Sequence, residues 1–306
     1  MGDMPIPFVS VIIVNYNSGN FALAAIQSLL RQIGVKLEII VVDNASQDDS
    51  VFVLQTKLAD QILLIQSATN LGFSRANNLG ASKANGDFLL VLNPDTVIDD
   101  QHAIQHLVKA LLANPQVGLM APLIDEPRKN KQVRPRHTYP SERYLNHTKK
   151  LNNLPGDIAW VLGASMLLKR DVFNQINGFD EDYFLYGEDA DICLRVRLAG
   201  YAIGFADSVK ITHVSGASEI GADSYEKWLR KRRGLYLFFI KHYHAQDVRQ
   251  LAKSLLFKSN GYLIWHKLKR ILFHTTSLKS IDQEHRLKAT ITAAKEMLQT
   301  INKKTS

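Results

Sequence analysis

The first 115 residues repeat one pattern: a short run of branched apolar residues, a polar cluster, then a stretch of helical periodicity. "FVSVIIVNYN" leads to "FALAAIQSLLRQ", and "LEIIVVDNAS" to a short helical stretch over 48–58. "QILLIQS" leads to "FSRANNLGASKA", and "DFLLVLN" to "DQHAIQHLVKALLANP", halted at Asn114-Pro115. Unbroken Val, Ile and Leu suit strands buried on both faces, as in parallel sheets. Strand and helix alternating at this spacing predict an α/β fold with a doubly wound, mostly parallel sheet.

In such sheets ligands sit beyond the carboxyl ends of the strands. Polar clusters stand at those ends: Asn15-Tyr16-Asn17, Asp43-Asn44-Ala45-Ser46, Asn70-Leu71-Gly72 and Asn93-Pro94-Asp95. Turn formation would explain any one of them, since Asn, Asp, Ser and Gly make turns. All four together point to one crevice.

After residue 115 the alternation breaks. Residues 124–156 are basic, carry prolines and lack periodicity, and predict a long loop of the kind that forms lids or binding loops. "AWVLGASMLLKR" is strand-like, a helix is expected from about Asp189 to a C-cap at Gly200, and "AIGFADSVKITHVSG" looks like two short strands. Basic, aromatic-bearing helical segments follow. The expected domains are 1–225, with a nucleotide-binding half (1–115) and an acceptor and catalytic half (116–225), and a basic amphipathic helical extension over 226–306.

Charge follows the same division. Residues 1–225 hold 19 Lys and Arg against 24 Asp and Glu, whereas 226–270 hold 12 against 2. The body is mildly acidic and the tail carries the positive excess. The single cysteine, Cys193, excludes an internal disulfide and fits a reducing compartment. No basic n-region opens the chain and no uncharged apolar run approaches the ~20 residues of a membrane span. A cytoplasmic protein, free or peripheral to a membrane, is the expectation.

The motifs exclude some chemistries. "NYNSGNFA" holds one glycine where a dinucleotide fingerprint needs three, and no glycine-rich G-K-[ST] stretch forms a P-loop. The glycine-rich N-terminal loop of a nucleotidyltransferase is also absent. What remains suits a nucleotide. Asp43 can accept from the imide of a uracil or thymine, or from a ribose hydroxyl. Its rival role, capping the next helix, falls more naturally to Asp48 and Asp49. Gly72 makes a turn, and Arg75 and Asn78 lie in the first turns of a helix, an arrangement suited to a diphosphate; a surface role for Arg75 is the alternative.

Asp95 stands alone at its strand end. Mg²⁺ needs only one or two carboxylates besides phosphate oxygens, and the neutral oxygen of Asn93 can stand where a second acid might. His213, in "VKITHVSG", is a candidate second ligand, or else a satisfied core residue; imidazole is a more natural partner for Mn²⁺ than for Mg²⁺. "YGEDADICLRV" packs Glu188, Asp189 and Asp191 into a helix start, where acids are favoured in any case. Asp191 can also pair with Arg195. A carboxylate at this turn could take a proton from an acceptor hydroxyl. The helix end lowers its pKa and a neighbouring acid raises it, and sequence leaves the sign open.

Taken in order, "VSVIIVNYNSG", "EIIVVDNASQDDS", "NLGFSRANNLG", "FLLVLNPDTVI", "FDEDYFLYGEDADICLRVRLAGY" and "ITHVSG" resemble glycosyltransferase family 2, with its GT-A fold. The likeness covers roughly residues 8–216 and leans toward bacterial rhamnosyltransferases that use dTDP-rhamnose in cell-surface polysaccharide assembly. The resemblance implies an inverting transfer from a nucleotide-sugar to a hydroxyl of a lipid-linked or polysaccharide acceptor, as in O-antigen synthesis. It implies that Asp43 contacts the base and that Arg75 and Asn78 line the nucleotide, with Asn15, Asn17, Gly72 and Asn93 around the same donor. Asp95 matches the last acid of the family's D-x-D motif and His213 a late metal-reaching histidine, so that Mg²⁺ or Mn²⁺ is implied. Asp189, beside Glu188, matches the general base. Asn93 departs from the family pattern, where many members carry Asp. A UDP-sugar donor, or a nucleotide-binding scaffold without catalysis, are the alternatives.

"YEKWLRKRRGLYLFFIKHYH" and "LAKSLLFKSNGYLIWHKLKRILFHTT" mix aromatics with Lys and Arg. Such stretches can lie at an anionic membrane surface, here through residues 226–273, or pack on the domain with a solvated basic face. Nucleic acid is not expected as a partner: no recognition motif is present and the body is acidic.

Overall fold

The computed structural model describes residues 5–149, 151, 153–214, 223–273 and 277–305. It divides into two compact units, one of Met1–Tyr139, Asn153–Phe184 and Glu188–Ser218, the other of Pro140–Asn152, Leu185–Gly187 and Glu219–Ser306. The helical unit therefore draws two short pieces from within the first 225 residues.

Among the described residues the first unit is built on nine strands: β1 (Phe8–Asn15), β2 (Lys36–Asp43), β3 (Leu63–Gln66), β4 (Phe88–Leu92), β5 (Thr96–Val97), β6 (Val117–Glu126), β7 (Lys131–Val133), β8 (Ser165–Lys169) and β9 (Ala202–His213). Their order is β3-β2-β1-β4-β8-β6-β9-β5, with β7 beside β6. The half made of β3, β2, β1 and β4 is parallel. Beyond it β8 runs antiparallel to β4 and β6, β9 runs parallel to β6, and β5 antiparallel to β9. The sheet is thus mixed rather than mostly parallel, because the alternation that forces right-handed crossovers stops after residue 115.

The apolar runs are explained by burial on both faces. In β1, Val9, Val11 and Ile13 join a core with Ile26 and Leu29 of α1 (Asn20–Leu30) and Leu107 and Leu111 of α4 (Ala103–Leu112). Ile12 faces the opposite core, with Val172 of α5 (Arg170–Gln175) and Ile192, Cys193 and Val196 of α6 (Glu188–Leu198). Cys193 is fully buried, and loss of solvation pushes its thiol up to about 12. The remaining helices of this unit are α2 (Ser50–Leu58) and α3 (Gly72–Ala81).

Three local expectations change. Residues 124–133 are a hairpin, not loop: Pro127 opens a 3₁₀ turn, Asn130 closes it in the left-handed region, and Glu126 pairs with Lys131. The segment 159–164 lies outside strand, which begins only at Ser165. Residues 202–213 are one strand rather than two. Asp207 and Ser208 sit where the register with β6 jumps, from Pro122↔Ala206 to Leu123↔Lys210, and pairing then resumes.

The second unit holds α7 (Ser224–His242), α8 (Ala245–Phe273) and α9 (Leu278–Thr305), with α9 packed on both others. Asp223 caps α7, its carboxylate accepting from Glu226 N at 3.0 Å. Arg233 forks onto both carboxylate oxygens of Glu296, at 2.9 and 2.7 Å. No helix of the described residues is long and apolar enough to cross a membrane.

Candidate active site at the strand ends

β1 and β2 end side by side, Asn15 opposite Asp43. Asn15 is fully buried, and its Nδ2 lies 2.8 Å from Asp43 Oδ1, 2.9 Å from Ser50 Oγ and 3.1 Å from Ser46 Oγ. Asp43 Oδ2 accepts from Ser46 N at 3.2 Å. Asn15 therefore holds Asp43 in place. Asn17 steadies the same turn, its Oδ1 accepting from Gln47 N at 2.7 Å. The start of α2 is served by Asp48, which accepts from Ser50 N at 3.2 Å and Gly19 N at 2.8 Å. Asp43 is thereby free of capping work.

The next strand end is tied to α3. Asn44 Oδ1 accepts from Leu71 N at 2.7 Å, and Asn70 Oδ1 from Gly72 N at 2.9 Å. Gly72 has φ +79, and a Cβ there would stand 2.5 Å from Phe184 O. Only glycine meets both demands. Phe73 N donates to that same carbonyl at 2.6 Å, so the first turn of α3 lies against the segment leading to Glu188. Arg75 is exposed, with its Nε 3.3 Å from Glu181 O and 3.7 Å from the Glu181 carboxylate. Asn78 clamps a loop: its Nδ2 donates to Phe179 O at 2.9 Å and its Oδ1 accepts from Phe179 N at 2.8 Å.

Asp95 and His213 come together although 118 positions separate them. His213 is the last residue of β9 and pairs with Thr96, one residue past Asp95. Its Nε2 lies 3.1 Å from Asp95 Oδ1 and 3.4 Å from Asn93 Nδ2, and both His213 and Asp95 are buried. On the other side of the ring, Nδ1 is 3.4 Å from Glu126 Oε1, close to it but without a hydrogen bond. Glu126 is buried at the end of β6 and also meets Lys129 Nζ at 2.8 Å. Sequence reasoning missed Glu126 because its partner lies across a ladder. The available signal was its place as an acid closing an apolar run, as at Asp43 and Asp95.

The donor set fits a divalent cation of the Mg²⁺ or Mn²⁺ kind. Asp95 Oδ1 and His213 Nε2 converge, and a ligand imidazole commonly has a carboxylate on its far nitrogen. Among the described residues no three acids, histidines or cysteines make a self-sufficient cluster. The remaining positions would fall to water and diphosphate oxygens.

Asp189 joins this region through a dipeptide. Asn93 N donates to Ala164 O at 2.9 Å, and one residue earlier Gly163 lies against Asp189, where a Cβ would stand 3.4 Å from Asp189 Cβ. Backbone N–H groups of Ala190 (2.8 Å) and Gly163 donate to its carboxylate. Protein surrounds Asp189 on most sides while part of its surface stays open. Burial outweighs those hydrogen bonds and raises its pKa to about 6. A carboxylate so raised is a better base near neutral pH than an ordinary one. Glu188 is buried beside it, and Asp191 pairs with Arg195 at 2.7 Å. Arg195 in turn donates to the carbonyls of Ile176 and Gly178, which fixes the loop before α6.

The family model for glycosyl transferase family 2 matches residues 10–176, and one described as the N-terminal domain of galactosyltransferase matches 145–216. N-acetylglucosaminyl-diphospho-decaprenol L-rhamnosyltransferase of Mycobacterium tuberculosis is 24% identical over 263 residues, covering 74% of this chain and 82% of its own. The O-antigen chain rhamnosyltransferase WbaN of Salmonella anatum is 24% identical, over 68% of this chain and 66% of its own. Among solved structures, the mannosyltransferase PcManGT of Pyrobaculum calidifontis, in complex with GDP-Man and Mn²⁺, gives a TM-score of 0.56 at 18% identity, covering 97% of this chain and 75% of that one. TarS of S. aureus gives 0.54 at 17%, covering 96% and 82%. At such identities the structural likeness speaks for the GT-A fold alone.

Proposed function

The chain belongs to glycosyl transferase family 2, and from that premise we propose an inverting, metal-assisted transfer of rhamnose from dTDP-rhamnose to a hydroxyl of a lipid-linked cell-surface glycan. The observation that carries this reading is the meeting of Asp95, His213 and, through Gly163–Ala164, Asp189 at one set of strand ends. The relatives named for rhamnosyl transfer, one to a diphospho-decaprenol acceptor, support the choice of donor and acceptor.

In this reading Asp43 receives the base of the nucleotide and the first turn of α3, with Gly72 and Arg75, borders its phosphates. Asp95 and His213 would hold the divalent cation, with Asn93 beside them, and Glu126 would hold the His213 ring. The bound ion supplies Lewis-acid neutralisation of the diphosphate. The acceptor hydroxyl gives its proton to an Asp189 oxygen as its own oxygen attacks the anomeric carbon, and the nucleoside diphosphate leaves from the opposite side. Holding the two reactants in line contributes much of the rate. The enzyme would work as a peripheral protein at the cytoplasmic face of the cell membrane, with residues 1–115 serving the donor and 116–225 the acceptor.

A thermal-shift panel of dTDP, UDP, GDP and CDP, with and without Mg²⁺ or Mn²⁺, tests the donor half. A shift by dTDP alone among the four, dependent on metal and lost in Asp95→Ala, is expected; a shift by UDP instead would move the donor to the UDP-sugars. No shift by any nucleotide would remove the proposal. Nucleotide binding without turnover on lipid-linked acceptors would leave a scaffold.

A further inference from the structure

We propose that the exposed face of α8 between Phe257 and Leu272 is a docking surface for an anionic lipid bilayer. The sequence spreads its basic and aromatic residues evenly over 226–273, but the structure separates them. In α7 the apolar residues Leu229, Tyr236, Phe238 and Phe239 are buried. That helix spends them on packing within the helical unit and has little apolar surface to offer.

α8 behaves differently in its second half. Ala252 and Ser259 are buried and Leu256, Leu263 and His266 half-buried, at alternating spacings of four and three that make a narrow seam along one side. At 3.6 residues per turn, Phe257, Ile264, Trp265, Leu268 and Leu272 fall within an arc of about 100° centred opposite that seam. These side chains are open to solvent, Phe257 by 84%, Leu272 by 69% and Trp265 by 64%. A helix that already buries one stripe has no folding reason to carry a second, broader apolar stripe facing away.

Charge selects the occupant. Lys258 and Lys269 border the stripe on one side, Lys253 and Lys267 on the other, and all four are exposed. No acidic residue occurs from Val248 to Ile281. Two copies joined through this face would set lysines against lysines. An anionic headgroup layer complements them, while Trp265 and Phe257 suit the boundary between headgroups and acyl chains. The helix would lie in the plane of the membrane, since it is not apolar enough to cross it. This face narrows the membrane contact proposed above to one helix and rests on that reading.

Sedimentation of the full chain with extruded vesicles tests it. Vesicles of phosphatidylcholine mixed with phosphatidylglycerol should carry the protein down, and phosphatidylcholine alone should do so far less. Lys258→Gln with Lys269→Gln should lower partitioning about 25-fold, from roughly fivefold per cation removed at such a surface. Trp265→Ser with Leu268→Ser should abolish it. All these positions are exposed, so the variants should keep the wild-type melting temperature and wild-type transfer to a short-chain, soluble acceptor analogue. That last readout separates failure of docking from failure of the transferase reading. Binding to anionic vesicles that survives both double variants would overturn the proposal. So would a wild-type protein that ignores vesicles, or a dimer in solution that Trp265→Ser with Leu268→Ser dissolves; the last would make a second copy the occupant.

Discussion

Asp189 carries the sharpest consequence at the scale of one residue. With Asp189 as the proposed base, its pKa of about 6 is expected to place the acid limb of kcat/KM near that pH, because only the ionised carboxylate can take the acceptor proton. Asp189→Asn should lower transfer by about 10²–10⁴-fold while nucleotide binding persists. The same shift has a stability sign. A carboxylate whose folded pKa lies above its unfolded value favours the folded state only while protonated, and that contribution is lost as pH rises through about 6. Asp189→Asn should therefore melt higher than wild type at pH 8, by at most about 3 kcal/mol, with the gap closing at pH 4. A variant that melts lower at pH 8 would contradict the burial argument.

Two other residues separate positioning from ligand contact. Glu126→Gln should weaken Mn²⁺ binding about 10–100-fold, measured by direct metal titration in the presence of dTDP, because the carboxylate behind the His213 ring is removed while its size is kept. Asn78→Ala should cost about 1–3 kcal/mol by leaving Phe179 N–H and C=O unpaired, yet leave nucleotide affinity unchanged. Asp43, Asp95 and Asp189 were legible in the sequence because each is an acid at the edge of an apolar or periodic run, a local signal. Glu126 and Gly163 were not, since what makes them matter is a distant neighbour: for Glu126 one 87 positions away, brought by the pairing of β6 with β9, and for Gly163 one 26 positions away, brought by the packing of α6. Asn15 and Asn78 had the right neighbourhood, but only hydrogen-bond geometry shows that the Asn15 Nδ2 holds Asp43 and that the Asn78 amide clamps Phe179.

At the scale of elements, α6 was readable almost to its ends, from its acidic first turn, its period and Gly200. β7 was hidden behind Pro127 and Asn130, and β9 was split in two by a polar pair that the sheet tolerates as an irregularity. α7 and α8 read alike as basic, aromatic helices, and only burial tells them apart. Gly234 lies where α7 closely approaches the backbone at Tyr186. A Cβ there would stand 2.0 Å from Tyr186 O, a backbone atom that cannot swing aside. Gly234→Ala should therefore lose about 1–3 kcal/mol by overpacking, despite alanine's better helix propensity. An unchanged melting temperature would show that the Tyr186 turn can give way.

For the whole molecule, the division of charge matters more than its sum. The net +8 arises from an acidic body and a basic tail, so the protein is polarised rather than uniformly cationic. Transfer to an acceptor embedded in anionic vesicles should fall steeply as ionic strength rises, while transfer to a soluble analogue should hardly change, since only the first depends on attraction between exposed charges and a surface. Equal salt sensitivity in both assays would place the effect in the catalytic cleft instead.

The lone thiol offers a practical consequence. Cys193 is sealed in the core, and burial keeps it protonated and unreactive at ordinary pH. The wild-type chain is thus already a silent background for site-directed labelling, with no native cysteine to remove. A nitroxide or fluorophore placed at position 265, and another at position 253, would report directly how deep each edge of that helix sits in a bilayer, in a protein otherwise left as it folds.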